Sequence, residues 1–186
     1  MPGSKQKVLF VDDEEAILKA FKLNLSRNYS VFIAESGGEG LRVIEEEGPF
    51  EVIVSDFSMP GMNGADFLEK VREQNKEVVT MLLTGQANFD DLCDVVRRGE
   101  IFRLLGKPCS PEALDENLQQ ALRQHQLICA EKELLEKTLN GAIGAITSLL
   151  SAANPLFFGR AQRVKSLAIE VARELKIDHG WRLQVA

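Results

Sequence analysis

The chain has 186 residues, 45% hydrophobic and 27% charged, which is enough apolar material for one globular domain and part of a second. Acids outnumber bases by 28 to 22, and neither half of the sequence is basic, so nothing supports binding to a nucleic-acid backbone. Three isolated cysteines, no signal peptide and no apolar run near ~18 residues predict a cytoplasmic protein without a membrane span.

Short apolar runs bounded by turn residues predict five strands, and between them the apolar spacing is helical. The predicted strands cover residues 7–11, 31–34, 52–56, 78–83 and 101–105. The predicted helices cover 16–26, 40–47, 65–74 and 89–97, and a fifth begins at Ser110-Pro111. Strands alternating with helices are typical of an α/β fold built on a doubly wound parallel sheet. The strands are continuous apolar runs, as expected for strands buried on both faces.

Polar side chains stand where four of these strands end. Asp12 and Asp13 follow the first strand, Asp56 ends the third, Thr84 follows the fourth and Lys107 follows the fifth. Because parallel strands present their carboxyl ends at one edge, we expect these side chains to meet there.

This set of side chains suits phosphoryl transfer. Three neighbouring carboxylates repel one another and favour a hard cation, and Mg²⁺ suits a few carboxylates with positions left open. A lysine and a threonine hydroxyl would stabilise an anionic phosphoryl group, and Asp56 would be the nucleophile that accepts it.

The sequence resembles the receiver domain of two-component response regulators over residues 5 to about 125. The resemblance rests on Asp12-Asp13, on Asp56 followed by Met59-Pro60-Gly61-Met62-Asn63-Gly64, on Thr84-Gly85 and on Lys107-Pro108. It implies a flavodoxin-like strand order 2-1-3-4-5, with a sensor histidine kinase as the phosphoryl donor.

The resemblance also implies a role for each residue. Asp56 would be the phosphoacceptor, and Thr84 and Lys107 would bind the phosphoryl oxygens. Mg²⁺ would be bound by Asp13, Asp56 and the Ser58 backbone carbonyl, and by Asp12 through water.

One position departs from the family pattern. Receivers often carry Tyr or Phe three residues before the conserved lysine, and here that residue is Leu104. Phe102 precedes it by two residues, and strand alternation predicts the same face for both side chains. The usual coupling between threonine and aromatic residue is therefore in doubt, and packing in the core or an interface is the favoured interpretation of Phe102.

From Leu114 the apolar spacing follows a heptad pattern. The stripe contains Leu114, Leu118, Ala121, His125, Ile128, Lys132, Leu135, Leu139, Ala142, Ile146 and Leu149. Such a stripe favours a parallel coiled-coil homodimer, and the alternative is one helix face packed on its own domain. No second ligand in sequence range supports a metal-binding or catalytic His125. Asn140-Gly141 and Gly144 are expected to loosen the helix, and Asn154-Pro155 to break it.

The C-terminal segment looks like the opening helices of an HD-GYP-type phosphodiesterase domain. Arg160 stands where that family usually has histidine, and His179 is followed by Gly180 instead of aspartate. No metal set can be assembled from residues 142–186, which predicts a truncated or degenerate output domain without catalysis.

The sequence therefore predicts a non-enzymatic response regulator in three parts. These are a receiver at 5–125, a linker or coiled-coil helix at 112–150 and the start of an HD-like domain at 151–186. A cyclic-di-nucleotide phosphodiesterase is the alternative, if a complete metal site lies beyond residue 186. A DNA-binding regulator is disfavoured because this sequence lacks a basic recognition helix. A haloacid-type hydrolase is disfavoured because that family prefers a DxD motif at the first strand, whereas the acids here are adjacent.

Overall fold

The computed structural model of the chain describes residues 5–85, 101–153 and 155–174. Contacts within the chain divide it into two compact units, Met1–Glu131 and Lys132–Ala186, which are described separately. The helix predicted at 89–97 lies outside the described residues.

The first unit is built on a five-stranded parallel sheet in the order β2-β1-β3-β4-β5. The strands are β1 (Lys7–Val11), β2 (Ser30–Ala34), β3 (Val52–Asp56), β4 (Val79–Thr84) and β5 (Arg103–Gly106). The helices are α1 (Glu15–Leu25), α2 (Gly37–Glu47), α3 (Gly64–Gln74) and the long helix α4 (Pro111–Ala153). The predicted α/β class, flavodoxin-like strand order and long C-terminal helix are confirmed.

Alternating strand residues divide the core between the two faces of the sheet. Phe10 and Val54 pack on the face covered by α1 and the first turns of α4, together with Leu18 and Leu118. Leu9, Ile53 and Leu82 pack on the other face, which α2 and α3 cover. Burial on both faces explains why the strands are continuous apolar runs.

Two local differences separate the structure from the sequence prediction. Helix α2 begins at Gly37 because the Ser36 side chain accepts a hydrogen bond from the Glu39 amide and caps it. The two glycines of its first turn concealed that start, since glycine is a poor helix former.

The second difference concerns Phe102 and Leu104. Phe102 packs on the α1–α4 face, whereas Leu104 packs on the opposite face with Val78 and Ile101. The prediction that they share a face is wrong, because β5 begins only at Arg103 and the alternation does not extend to Phe102.

The heptad stripe of α4 changes its environment along the helix. Leu114, Leu118 and Ala121 are fully buried in the core of the first unit, so the expectation that Leu118 serves a dimer interface is wrong. In the second unit the stripe is exposed, with Leu135, Leu139, Ile146 and Leu149 between 58% and 71% accessible. Helix α4 runs unbroken through Asn140-Gly141 and Gly144, contrary to the expected loosening.

The second unit contains the C-terminal part of α4 and helix α5 (Pro155–Glu174). Helix α4 ends before Asn154-Pro155, as the proline predicts. Val164, Leu167 and Val171 are exposed on α5. None of the helices in the described ranges is long and apolar enough to cross a membrane.

Candidate functional site at the carboxyl edge of the sheet

The sheet brings the five predicted polar residues to one edge. Asp12 and Asp13 follow β1, Asp56 ends β3, Thr84 ends β4 and Lys107 follows β5. Because all five strands are parallel, these positions lie at the same end of neighbouring strands. Asp12 and Asp56 are 1% and 5% accessible, whereas Asp13 is exposed and Thr84 half-buried.

Lys107 joins two of the carboxylates. Its ammonium nitrogen lies 2.6 Å from an Asp12 oxygen and 2.8 Å from an Asp56 oxygen. The Lys107 backbone amide donates to the Thr84 carbonyl at 2.7 Å and so fixes the chain as it leaves β5. A charge-assisted pair this well buried holds both carboxylates towards the same point.

The turn after Asp56 is fixed by backbone contacts. The Ser58 amide donates to an Asp56 carboxylate oxygen at 3.1 Å, and the Gly64 amide donates to the Phe57 carbonyl at 3.0 Å. A Cβ atom at Gly64 would lie 2.0 Å from the Asp56 carbonyl oxygen, so only glycine fits there. Asn63 caps α3, because its side-chain oxygen accepts a hydrogen bond from the Asp66 amide at 2.9 Å.

Burial and charge act in opposite directions on Asp56. Burial raises the pKa of its carboxyl group above the ordinary value, and the hydrogen bond from Lys107 opposes this rise. Burial alone would lower the pKa of Lys107, but its hydrogen bonds to Asp12 and Asp56 outweigh that effect, so its pKa is raised. Lys107 is therefore positively charged at neutral pH and holds a compensating charge beside the buried carboxylates.

The three carboxylates also fit a divalent cation. Asp12, Asp13 and Asp56 each offer an oxygen within 4.8 Å of the others, and they are the one such group among the described residues. Hard oxygen ligands on a partly open edge suit Mg²⁺, which keeps several waters when bound. This edge can therefore hold a cation and an anionic group side by side.

The sequence did not reveal an apolar groove beside this edge. A cavity of about 510 Å³ lies between α1 and the segment after β5, lined among others by Ile17, Phe21, Lys107, Pro108 and Cys109. Ile17 and Phe21 lie on α1, and both side chains are half-buried.

Comparison with known proteins agrees with this fold and edge. Residues 8–119 match the family model described as the response regulator receiver domain. The Transcriptional regulatory protein GlrR of Escherichia coli (strain K12) is 34% identical over 118 residues, which are 63% of this chain and 26% of GlrR. The chain therefore spans about a quarter of the length of this relative.

Two solved structures are similar to the chain. A structure titled adenylate cyclase, from Rhodopirellula baltica, has 34% identity and a TM-score of 0.69, covering 72% of this chain and 98% of that one. The signal receiver domain of an HD domain-containing protein from Pseudomonas fluorescens Pf-5 has 26% identity and a TM-score of 0.63, covering 72% and 96%. Since the family model matches more than half of the chain, this protein belongs to the response regulator receiver domain family.

Proposed function

We propose that this chain is the phosphoacceptor part of a two-component response regulator, with Asp56 receiving a phosphoryl group from a sensor histidine kinase. One observation carries the proposal. The Lys107 ammonium group lies within 2.8 Å of both Asp12 and Asp56 at an edge where three carboxylates also offer oxygens to a cation. Receiver domains as a family are phosphorylated by such kinases, which supports this class of donor.

The transfer needs little from the protein beyond positioning and charge. An Asp56 carboxylate oxygen attacks the phosphorus of the kinase phosphohistidine, forming an O–P bond while the N–P bond breaks and its electron pair stays on the imidazole. Lys107 and the Thr84 hydroxyl would bind the oxygens of the transferred group. The Ser58 amide holds one Asp56 oxygen, which fixes the orientation of the carboxylate.

Mg²⁺ is the cation proposed for the carboxylate cluster. Asp13, Asp56 and the Ser58 carbonyl would bind it directly, with Asp12 acting through water, as the family resemblance implies. When bound, the ion neutralises charge on the phosphoryl oxygens. The exposed position of Asp13 leaves this side of the cluster open to solvent, which suits an ion that retains waters.

Phosphorylation by a small donor tests the proposal. Incubation with acetyl phosphate and Mg²⁺ should add one phosphoryl group to the wild-type chain and none to Asp56→Asn, as read from the intact mass. Phosphorylation of Asp56→Asn to the same extent as the wild type would contradict the assignment.

The output of the signal is proposed from the second unit. We infer three parts, a receiver at 5–125, a linker helix at 112–150 and the start of an HD-like output at 151–186. The similar receiver domain from Pseudomonas fluorescens belongs to an HD domain-containing protein, which supports an HD-like output. The comparisons give no support to the cyclic-di-nucleotide phosphodiesterase alternative. The absence of nucleic-acid binding also stays a prediction, since GlrR is named a transcriptional regulator.

A homodimer through the second unit is the remaining part of the proposal. Leu135, Leu139, Ile146 and Leu149 are exposed on one stripe of α4. A contiguous apolar surface of this kind is costly in water and marks an interaction site. Two copies packed in parallel would bury the stripe, and Lys132 would oppose association because two like charges face each other.

A further inference from the structure

The apolar surface of α4 in the second unit is wider than the heptad stripe. Ile143 and Leu150 are 50% and 59% accessible, although neither belongs to the stripe. They follow the stripe residues Leu139 and Ile146 by four positions, so they form a second apolar row directly beside the stripe.

Helix α5 carries an exposed apolar row of its own. Val164, Leu167 and Val171 are between 57% and 66% accessible, and their spacing of three and four residues places them on one face of the helix. Both helices belong to the same unit. Because these rows are exposed in the single chain, a second molecule is needed to remove them from water.

The residues that flank the stripe indicate how many helices meet. The position four residues after alternate stripe residues is occupied in succession by Glu136, Ile143 and Leu150. In a two-stranded coiled coil this position is commonly charged, as it is at Glu136. Apolar residues there widen the face from two to three residues per heptad, which is typical of helices packed in a bundle.

We propose that the second unit dimerises as a four-helix bundle, to which each copy contributes α4 and α5. This inference rests on the homodimer proposed above and names the element that covers the second row of α4. That element is α5, whose Leu167 and its two neighbours in the row pack against Ile143 and Leu150. Near Glu136 the two copies of α4 meet alone, as in a coiled coil.

The apolar area also favours four helices over two. A leucine-sized side chain carries roughly 100 Å² of apolar surface when it is fully exposed. At accessible fractions of 50–71%, the four exposed stripe residues of one copy offer roughly 250 Å², whereas these four with the second row and the α5 row offer roughly 550 Å². A standard homodimer interface buries about 500 Å² of apolar surface per copy, so the stripe alone is too small.

The opposite side of α4 is suited to remain in water. Glu133 and Lys137 form an exposed ion pair at 2.6 Å, and neither lies in the stripe or in the second row. The bundle therefore buries the apolar rows without burying this pair.

Sedimentation of full-length variants at several concentrations tests the bundle. Leu150→Asp and Leu167→Asp should each shift the monomer–dimer equilibrium at least about tenfold towards monomer, because each would bury a charge. Leu134→Asp and Ser166→Asp are the matched controls, since both residues are exposed on the same two helices but lie outside the rows. These controls should dimerise as the wild type does.

A thiol-protection experiment avoids substitutions that introduce a charge. In a chain whose three native cysteines are replaced by serine, Leu167→Cys should react with a maleimide at least about tenfold more slowly when the chain is dimeric than when it is monomeric. Ser166→Cys should react equally fast in both states. Equal reactivity of Leu167→Cys in both states would overturn the bundle, even if Leu167→Asp proved to be poorly folded.

The outcomes separate the bundle from the dimer on which it rests. A monomeric wild type excludes both. If Leu135→Asp dissociates the dimer while Leu150→Asp and Leu167→Asp leave it intact, the dimer is a two-stranded coiled coil and the bundle is wrong. Equal effects of Leu167→Asp and Ser166→Asp would likewise exclude the α5 row from the interface.

Discussion

Asp56 is held in an environment that opposes its charge, and this makes its contribution to stability depend on pH. Burial raises its folded-state pKa above the value of the unfolded chain, so the folded protein binds this proton more tightly. The resulting stability is fully present below the unfolded value near about 3.9 and is lost as the pH rises through the folded-state pKa. At neutral pH the ionised carboxylate therefore destabilises the fold.

Asp56→Asn should accordingly be more stable than the wild type at neutral pH. The expected gain is on the order of 1 kcal/mol in the free energy of unfolding, measured by urea denaturation at pH 7 without divalent metal. Lys107 keeps Asp12 as a partner in the variant, so no new unpaired charge is created. Adding Mg²⁺ should stabilise the wild type more than the variant, because only the wild type has the full carboxylate set. A variant that is less stable at pH 7 would show that the Asp56–Lys107 pair outweighs burial.

Gly64 is the residue whose lack of a side chain matters most at the site. Alanine there would place Cβ 2.0 Å from the Asp56 carbonyl oxygen, a backbone atom that cannot move aside without displacing Asp56. We expect Gly64→Ala to cost more than about 3 kcal/mol in urea denaturation and to reduce phosphorylation. Gly38→Ala is the control, because nothing lies within 4 Å of its added Cβ and alanine favours the helix. Equal stability of the two variants would contradict this account.

At the scale of elements, α4 has two environments along one continuous helix. Its first turns are part of the receiver core, and Tyr29 is tied to them by a 2.7 Å hydrogen bond from its hydroxyl to Asp115. Beyond Glu131 the apolar side chains of the helix are exposed. The helix is therefore a direct covalent connection from the phosphoacceptor unit to the segment proposed to form the dimer.

The proposed dimer can be tested with two adjacent leucines. Leu134 and Leu135 are 66% and 64% accessible, but only Leu135 belongs to the heptad stripe. Leu135→Asp should shift the monomer–dimer equilibrium at least tenfold towards monomer, about 1.4 kcal/mol. Leu134→Asp should leave it nearly unchanged, and Lys132→Leu should tighten it. Sedimentation at several concentrations measures all three. A monomeric wild type, or equal effects of the two aspartates, would exclude the stripe as the interface.

Element by element, the sequence predicted most of the fold because strand and turn signals were local. All five strands were predicted within two residues at each boundary, since apolar runs ended at acidic residues, glycine or proline. The prediction failed at two places for different reasons. The local Ser36 cap extends α2 through two glycines, which are poor helix formers, whereas packing of Leu118 on the sheet is a tertiary contact that removes it from the predicted dimer stripe.

The site was predictable because parallel strands align their ends. The order of Asp12, Asp56, Thr84 and Lys107 along the chain was sufficient to place them at one edge. The groove beside Lys107 was not predictable, because it depends on how far α1 stands from the segment after β5.

At the scale of the whole molecule, the two units have different proposed roles, phosphorylation in the first and dimerisation in the second. The first unit contains the carboxylate edge and its lysine, and the second contains the exposed apolar stripe and α5. The chain spans about a quarter of the length of GlrR, and the output of the intact protein is proposed from the second unit.

The most direct test of the central claim is the chemical identity of the phosphorylated residue. Ser55 and Ser58 lie beside Asp56, so intact mass alone does not separate an acyl phosphate from a serine phosphate. We predict that the phosphorylated chain loses its phosphoryl group in hydroxylamine, and that the peptide containing Asp56 then carries a hydroxamate at that residue. A phosphoryl group that survives hydroxylamine, or a hydroxamate at another acidic residue, would contradict the account.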